Sequence, residues 1–213
     1  MPPDVPETAP PKPLRIHLVR HATSVWNDER RIQGQLDPPL SDGGREQARR
    51  LAQRLAGCRF DGFYSSDLTR ARATAETIAE ALGTKPVLWP ELREIGLGEW
   101  EGLSRQEIMA RYPKQWERWL AEPNWDIVPG GEGTTAFERR VGAALDRLYE
   151  EHRAGDLLVV THGGVIQVLL LKVVGRGSHG LFPFTIHNTS ITLLEADRGG
   201  LVIARVNDTC HLA

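Results

Sequence analysis

Three short stretches hold the residue types that handle an anion. In LVRHATSVWN (18–27) an apolar run ends on Arg20 and His21, with Thr23, Ser24 and Asn27 just beyond. SSDLTR (65–70) ends on Arg70, and THGG (161–164) carries His162 and Gly163. A buried strand does not end on an arginine and a histidine unless something anionic compensates their desolvation. Guanidinium forks match phosphate oxygens, and helix N-termini add backbone donors to the same ligand. One histidine can attack phosphorus and become a phosphohistidine, which splits a hard displacement into two easier steps. The second histidine and both arginines would then neutralise charge growing on the equatorial oxygens. A leaving alkoxide needs a proton, and the candidate donor is Glu94 in ELREIGLGEWEG.

These residues need elements that bring them together. LRIHLV (14–19) reads as the first strand, and FDGFYSS (60–66), PVLW (86–89) and DLLVVT (156–161) as further strands. Ser41 and Asp42 can cap a helix over about 43–56, whose Ala48, Leu51, Ala52 and Leu55 share one face. A helix over 68–82 has the stripe Ala71, Ala75, Ile78 and Leu82, and Gly83 stops it. Helical turns cover roughly 104–121 and break at Pro113. After the loop PNWDIVPGGEG, Thr134 or Thr135 starts a helix to about 153 with Phe137, Val141, Leu145 and Leu148 inward. A helix over 163–174 and strands near 190–195 and 201–206 complete the chain. The alternation predicts a single α/β domain, three layers α/β/α around a mostly parallel central sheet. In open sheets of this kind ligands sit beyond the carboxyl ends of the strands, where all three polar stretches fall.

The totals set outer limits. The 213 residues suffice for one sizeable domain, taken as 14–213. Residues 1–13 hold six prolines and little to bury, which predicts a flexible arm. A net charge of −2 gives no electrostatic footprint for nucleic acid, and no apolar run reaches membrane-spanning length. Cys58 and Cys210 lie far apart in sequence without metal-ligand spacing, as expected of free thiols in a reducing cytoplasm. His17 and His21 are four apart, but on a strand that spacing does not make a metal pair, and no Asp, Glu or Cys completes a set. No metal and no cofactor is expected. Arg72 reads as a surface charge; His152, His179, His187 and His211 lack a catalytic context. The tryptophans at 116, 119 and 125 read as core or lid packing.

LVRHATSVWN, RIQG, PLSDGGREQA, YSSDLTRARATAE, LREIGLGEWEG, PGGEG and VVTHGG occur in the order found in the histidine phosphatase superfamily, the phosphoglycerate mutase-like proteins. The chain resembles that family over about 14–212. The resemblance implies His21 as the phosphorylated nucleophile, Arg20, Arg70 and His162 as the phosphate pocket, and Glu94 as the proton donor. It also implies that Thr23, Ser24 and Asn27 assist at the phosphate, that Gln33 and Gly34 lie on a substrate-contacting loop, and that Gly163 follows the second histidine at the pocket. Ala22 and Thr23 depart from the family's usual Gly-Glu or Gly-Gln. Gly133 stands where serine is common, and Thr134 or Thr135 could restore the cap.

The family holds both mutases and phosphatases. A mutase must shield its phosphohistidine from water, and the segment 95–161 looks too short to form the lid that requires, although 104–128 could supply one. Its Arg111, Lys114, Arg118, Arg139 and Arg140 read mostly as helix surface. The expected function is therefore a metal-independent phosphomonoesterase acting on small phosphorylated metabolites. The candidates are phosphoserine, sugar phosphates, phosphoglycerates and α-ribazole phosphate, or a broad range of esters. The alternatives are a cofactor-dependent phosphoglycerate mutase and a non-catalytic phosphoryl-binding regulatory protein; the protein is expected as a monomer or homodimer. The ending NDTCHL resembles the tail of metal-independent phosphoserine phosphatases, but Leu97 stands close to where those enzymes have a histidine. Trp26, Leu97 and Trp100 are candidates for an apolar mouth.

Overall fold

A computed structural model describes residues 12–177, 183–197 and 200–213. The arm residues 1–11 and His179 lie outside the described residues. β1 (Leu14–Arg20), with Leu14, Ile16 and Leu18 buried on one face, and β4 (Gly155–Thr161), buried along its whole length, pair in parallel at the centre of a sheet. Their register sets Arg20 opposite Thr161, so the residues that follow, His21 and His162, leave the sheet side by side. β2 (Gly62–Ser65) pairs with the other edge of β4 and delivers Ser66 to the same end. β3 (Val87–Leu88) extends that side in parallel. β5 (Ile191–Asp197) and β6 (Gly200–Asp208) add an antiparallel pair beyond β1, giving the order β3-β2-β4-β1-β5-β6. The three-layer, mostly parallel architecture read from the sequence is thus present.

Alternation along β4 separates two cores. Leu158 and Val160 meet α2 (Asp42–Leu55) and α3 (Thr69–Leu82) through Leu51, Leu55, Ala75 and Ile78. Leu157 and Val159 meet the opposite layer, α6 (Thr134–Glu151) and α7 (Gly163–Val173), through Phe137, Val141, Leu145 and Ile166. The Ser41 hydroxyl caps α2 by accepting from Gly44 N at 3.2 Å, and Gly83 ends α3 in the left-handed conformation at φ 65°. The cap of α6 differs from expectation. Gly133 occupies it at φ 77°, and Asp126 Oδ1, from across the loop, accepts from Thr134 N at 2.8 Å. Ala22 is fully buried without a positive φ, so the methyl at this departure from the family costs no backbone strain.

Lys12 and Pro13, assigned to the arm by composition, are already tied down. Lys12 pairs with Asp156, and Pro13 O accepts from Gly155 N at 3.2 Å. The helical turns expected over 104–121 are α4 (Arg105–Arg111) and α5 (Pro113–Ala121), broken at Pro113 as read, whereas the short α1 (Val25–Asp28) escaped the sequence reading. No helix among the described residues is long and apolar enough to cross a membrane.

Candidate active site

The backbone at the end of β1 is held from three sides before any side chain acts. His21 N donates to Thr161 O at 2.8 Å, Ala22 N to Thr74 Oγ1 at 3.0 Å, and the Asn188 amide to His21 O at 2.9 Å. Thr189, at φ 60°, donates its N–H to Arg20 O at 2.9 Å. The His21 ring is nearly buried, and its Nδ1 lies 2.7 Å from Ala22 O. A carbonyl only accepts, so Nδ1 carries the proton and Nε2 keeps its lone pair. Burial, then the Arg70 and Arg20 charges, hold this imidazole well below its ordinary pKa, which keeps it neutral.

Two guanidiniums surround it without counter-ions. Arg70 is fully buried; its Nη2 donates to Gly34 O at 2.7 Å and its Nη1 to Leu36 O at 3.1 Å. Arg20 Nη1 donates to Ile186 O at 2.6 Å. Neither has a carboxylate within 4 Å among the described residues, and Nε of each is buried with no partner. Burial lowers the pKa of both. Desolvating a cation costs several kcal/mol unless an anion joins it. The His162 ring lies beside His21, centroids 5.1 Å apart. Ser66 Oγ accepts from Leu68 N at 3.3 Å and lies 2.8 Å from His162 Nε2, while His162 Nδ1 is buried without a partner. Two buried guanidiniums without counter-ions beside one free imidazole nitrogen form a preorganised anion site.

Glu94 lines the same cavity. Its Oε1 accepts from Ile95 N and its Oε2 from Gly164 N, each at 3.0 Å. Arg140 holds its backbone: Nη2 donates to Glu94 O at 3.1 Å, and Nη1 to Arg93 O and Glu91 O at 2.8 and 2.9 Å. Glu132 accepts from Arg140 at 2.7 Å. Arg140 is therefore a half-buried clamp rather than the helix-surface charge expected. Gly164 is required for close approach, since a Cβ there would stand 2.2 Å from Glu94 Oε1. Gly164→Ala should displace the carboxylate and lower kcat on alkyl phosphates about 10- to 100-fold, short of the full value of a general acid. Steady-state kinetics with a thermal melt checks this; unchanged kcat would mean Glu94 is idle.

The remaining sequence-predicted residues divide in two. Asn27 and Gln33 line the cavity. Asn27 Oδ1 accepts from Ser24 N at 3.0 Å, and Gln33 Oε1 from Ser24 Oγ at 2.7 Å, leaving both NH2 groups to donate to a ligand. Ser24 itself is buried and caps α1. Thr23 turns to Gln47 Oε1, which its N and Oγ1 approach at 3.0 and 2.8 Å. Gly34 offers its carbonyl to Arg70 and abuts Glu101, and Gly163 opens α7 beside Arg20. These four support the site from outside the cavity lining. Glu101 escaped the sequence reading. It accepts from Gln35 N, Leu36 N and Leu97 N at 2.7–2.9 Å, joining the loop that holds Arg70 to the loop that carries Glu94.

The cavity measures about 380 Å³, and residues of 104–128, the stretch that could supply a lid, line one side of it. Ile108 of α4, Trp116 and Trp119 of α5 and Trp125 line it, so a lid built from 104–128 exists. Leu97 and Trp100 line it as expected, whereas Trp26 packs against Gly102 instead. His17 pairs with Asp156 at 3.2 Å, and His152 and His211 bond to Tyr64 and Thr189, so none of these joins the site.

Known proteins resemble this chain in sequence and fold. A family model described as "Histidine phosphatase superfamily (branch 1)" matches residues 16–209. The chain is 35% identical over 199 residues to "Phosphoserine phosphatase 1" of Hydrogenobacter thermophilus, a match covering 93% of this chain and 94% of that protein. It is 34% identical over 205 residues to "Probable phosphoglycerate mutase GpmB" of Yersinia pestis, covering 93% and 95%. The solved structure of the α-ribazole phosphatase from Shigella flexneri superposes with a TM-score of 0.84 at 26% identity, covering 92% of this chain and 96% of that one.

Proposed function

The chain belongs to the histidine phosphatase superfamily, and from that premise we propose a metal-independent phosphomonoesterase of small phosphorylated metabolites that works through a phosphohistidine on His21. The observation that carries the reading is the pair of buried guanidiniums, Arg20 and Arg70, set without carboxylate partners beside an imidazole whose Nε2 is free. A phosphoryl dianion compensates both buried positive charges. His21 Nε2 attacks phosphorus in line, the P–O bond to the alcohol breaks, and Glu94 gives its proton to the departing oxygen. Glu94 then takes a proton from water, the hydroxide attacks phosphorus, and the P–N bond breaks to return neutral His21 and free phosphate. Asn27 and Gln33 donate to the phosphoryl oxygens from the cavity side.

Phosphatases and mutases share these steps up to the phosphoenzyme; they differ in whether the product stays to be rephosphorylated. Rephosphorylation of a bound phosphoglycerate needs cations for its other anionic groups. Beyond the phosphate corner the lining supplies two, Arg31 and Arg105, and Arg31 is already paired with Glu29 and Glu107 at 2.9 Å. That favours hydrolysis. Residues 14–213 act as one catalytic domain in this reading. Two exposed free thiols fit a cytoplasmic monomer or homodimer.

Phosphate release from a panel of phosphomonoesters in EDTA tests the proposal, with 2-phosphoglycerate formation from 3-phosphoglycerate followed in parallel. Release at an unchanged rate in EDTA is expected. Loss of activity restored by a divalent ion would overturn the metal-free mechanism, isomerisation without release would name a mutase, and silence in both assays would leave a phosphoryl-binding protein.

A further inference from the structure

The cavity has two chemically different ends. At one end the guanidiniums and histidines await a phosphoryl group. The other is walled by apolar side chains, and tryptophans dominate it. Trp100, Trp116, Trp119 and Trp125 pack in a continuous cluster, edge to face between 100 and 119 and tilted at the other two contacts, with centroids 6.1, 5.5 and 4.6 Å apart along the chain of contacts 116–100–119–125. Trp116 and Trp119 are only half-buried on the lid, so they present indole surface to the cavity. We propose, on the strength of the phosphatase reading above, that the alcohol part of the substrate carries a planar aromatic group.

Two observations narrow the ligand to that class. Indole walls offer ring faces and edges, and aromatic partners gain offset or edge-to-face contact beyond their area burial. Glu94 is the one carboxylate lining the cavity among the described residues. The charged groups beyond the phosphate corner are the Arg31 and Arg105 guanidiniums, the latter stacked over Trp116 at 5.1 Å. At this end an α-ammonium group would meet no carboxylate, and only the α-carboxylate of an amino-acid ester, toward Arg105, would be compensated. Phosphoserine, the substrate in the name of the Hydrogenobacter relative, fits this wall poorly.

The test holds the leaving group nearly constant. kcat/KM is measured for 2-(1-naphthyl)ethyl, 2-phenylethyl and glycerol phosphates and for O-phosphoserine, all primary alkyl esters. The aryl esters should exceed glycerol phosphate by about 10- to 100-fold, the value of burying a ring, with the naphthyl ester first and phosphoserine last. Trp119→Ala should lower the naphthyl-to-glycerol ratio toward one, a change of preference that a general loss of folded enzyme would not produce. A ratio near one in the native protein, or phosphoserine as the best ester, would overturn the aromatic assignment while leaving the phosphatase reading intact. If no ester is hydrolysed, the phosphatase reading falls. Quenching of native tryptophan fluorescence by the same four esters then decides the wall: tighter naphthyl ester supports it, equal binding overturns it.

Discussion

His21→Ala is expected to abolish turnover, lowering kcat by about 10⁴-fold or more, as loss of a covalent nucleophile does elsewhere. The fold should survive. The main-chain bonds of residue 21, to Thr161 O and from Asn188, do not involve the ring, and the one ring bond recorded is to the adjacent Ala22 carbonyl. The variant should retain affinity for phosphate, because Arg20, Arg70 and His162 remain. Rapid acid-free denaturation after mixing with a ³²P-labelled ester should trap label on the native protein and none on the variant. A variant within about tenfold of native kcat would remove the nucleophile assignment. The same geometry sets the pH response. Burial and two guanidiniums depress the His21 pKa below 6.5, so the free enzyme keeps a neutral nucleophile as the pH falls through that value. The acid limb of kcat/KM should lie below pH 6.5 accordingly. In the unfolded chain both site histidines titrate near 6.5, so protons favour unfolding and stability should decline as pH drops past that point.

The phosphate end of the site was legible because its residues follow strands. A side chain just past a strand end has its position fixed by sheet register, and the pairing of Arg20 with Thr161 is all that is needed to set His21 beside His162. Glu94 lies on a loop, yet its block of sequence identified it. What could not be read were contacts whose partners are close only after the loops close. Arg140 looks like any basic residue on an amphipathic helix until Glu94 O, Arg93 O and Glu132 are seen converging on it. Glu101 looks like one of many surface acids, and its three backbone donors come from two loops that sequence cannot juxtapose. Length alone does not decide whether 104–128 forms a lid. Two short helices suffice when the side chains they carry are indoles, and Pro113 opens the second of them. Thr23 and Gly34 show the converse, since motif position placed them at the site but not on the side of it they face.

Glu94→Gln should slow alkyl phosphates by about 10²–10⁴-fold and p-nitrophenyl phosphate by less than about tenfold. The difference follows from where the proton is needed. An alkoxide cannot leave unprotonated, while nitrophenolate is stable enough to depart alone. Glutamine keeps the length of the side chain but only one of its two acceptors. Both Glu94 oxygens receive a backbone N–H, from Ile95 and from Gly164, so the amide NH2 must confront one of those donors. Arg20 and Arg70 are left in place to hold the phosphate dianion, so KM should hold while kcat drops. That divergence separates lost proton transfer from a damaged site, which would raise KM for both esters. Equal losses on the two esters, at any magnitude, would show that Glu94 organises the pocket without donating the proton.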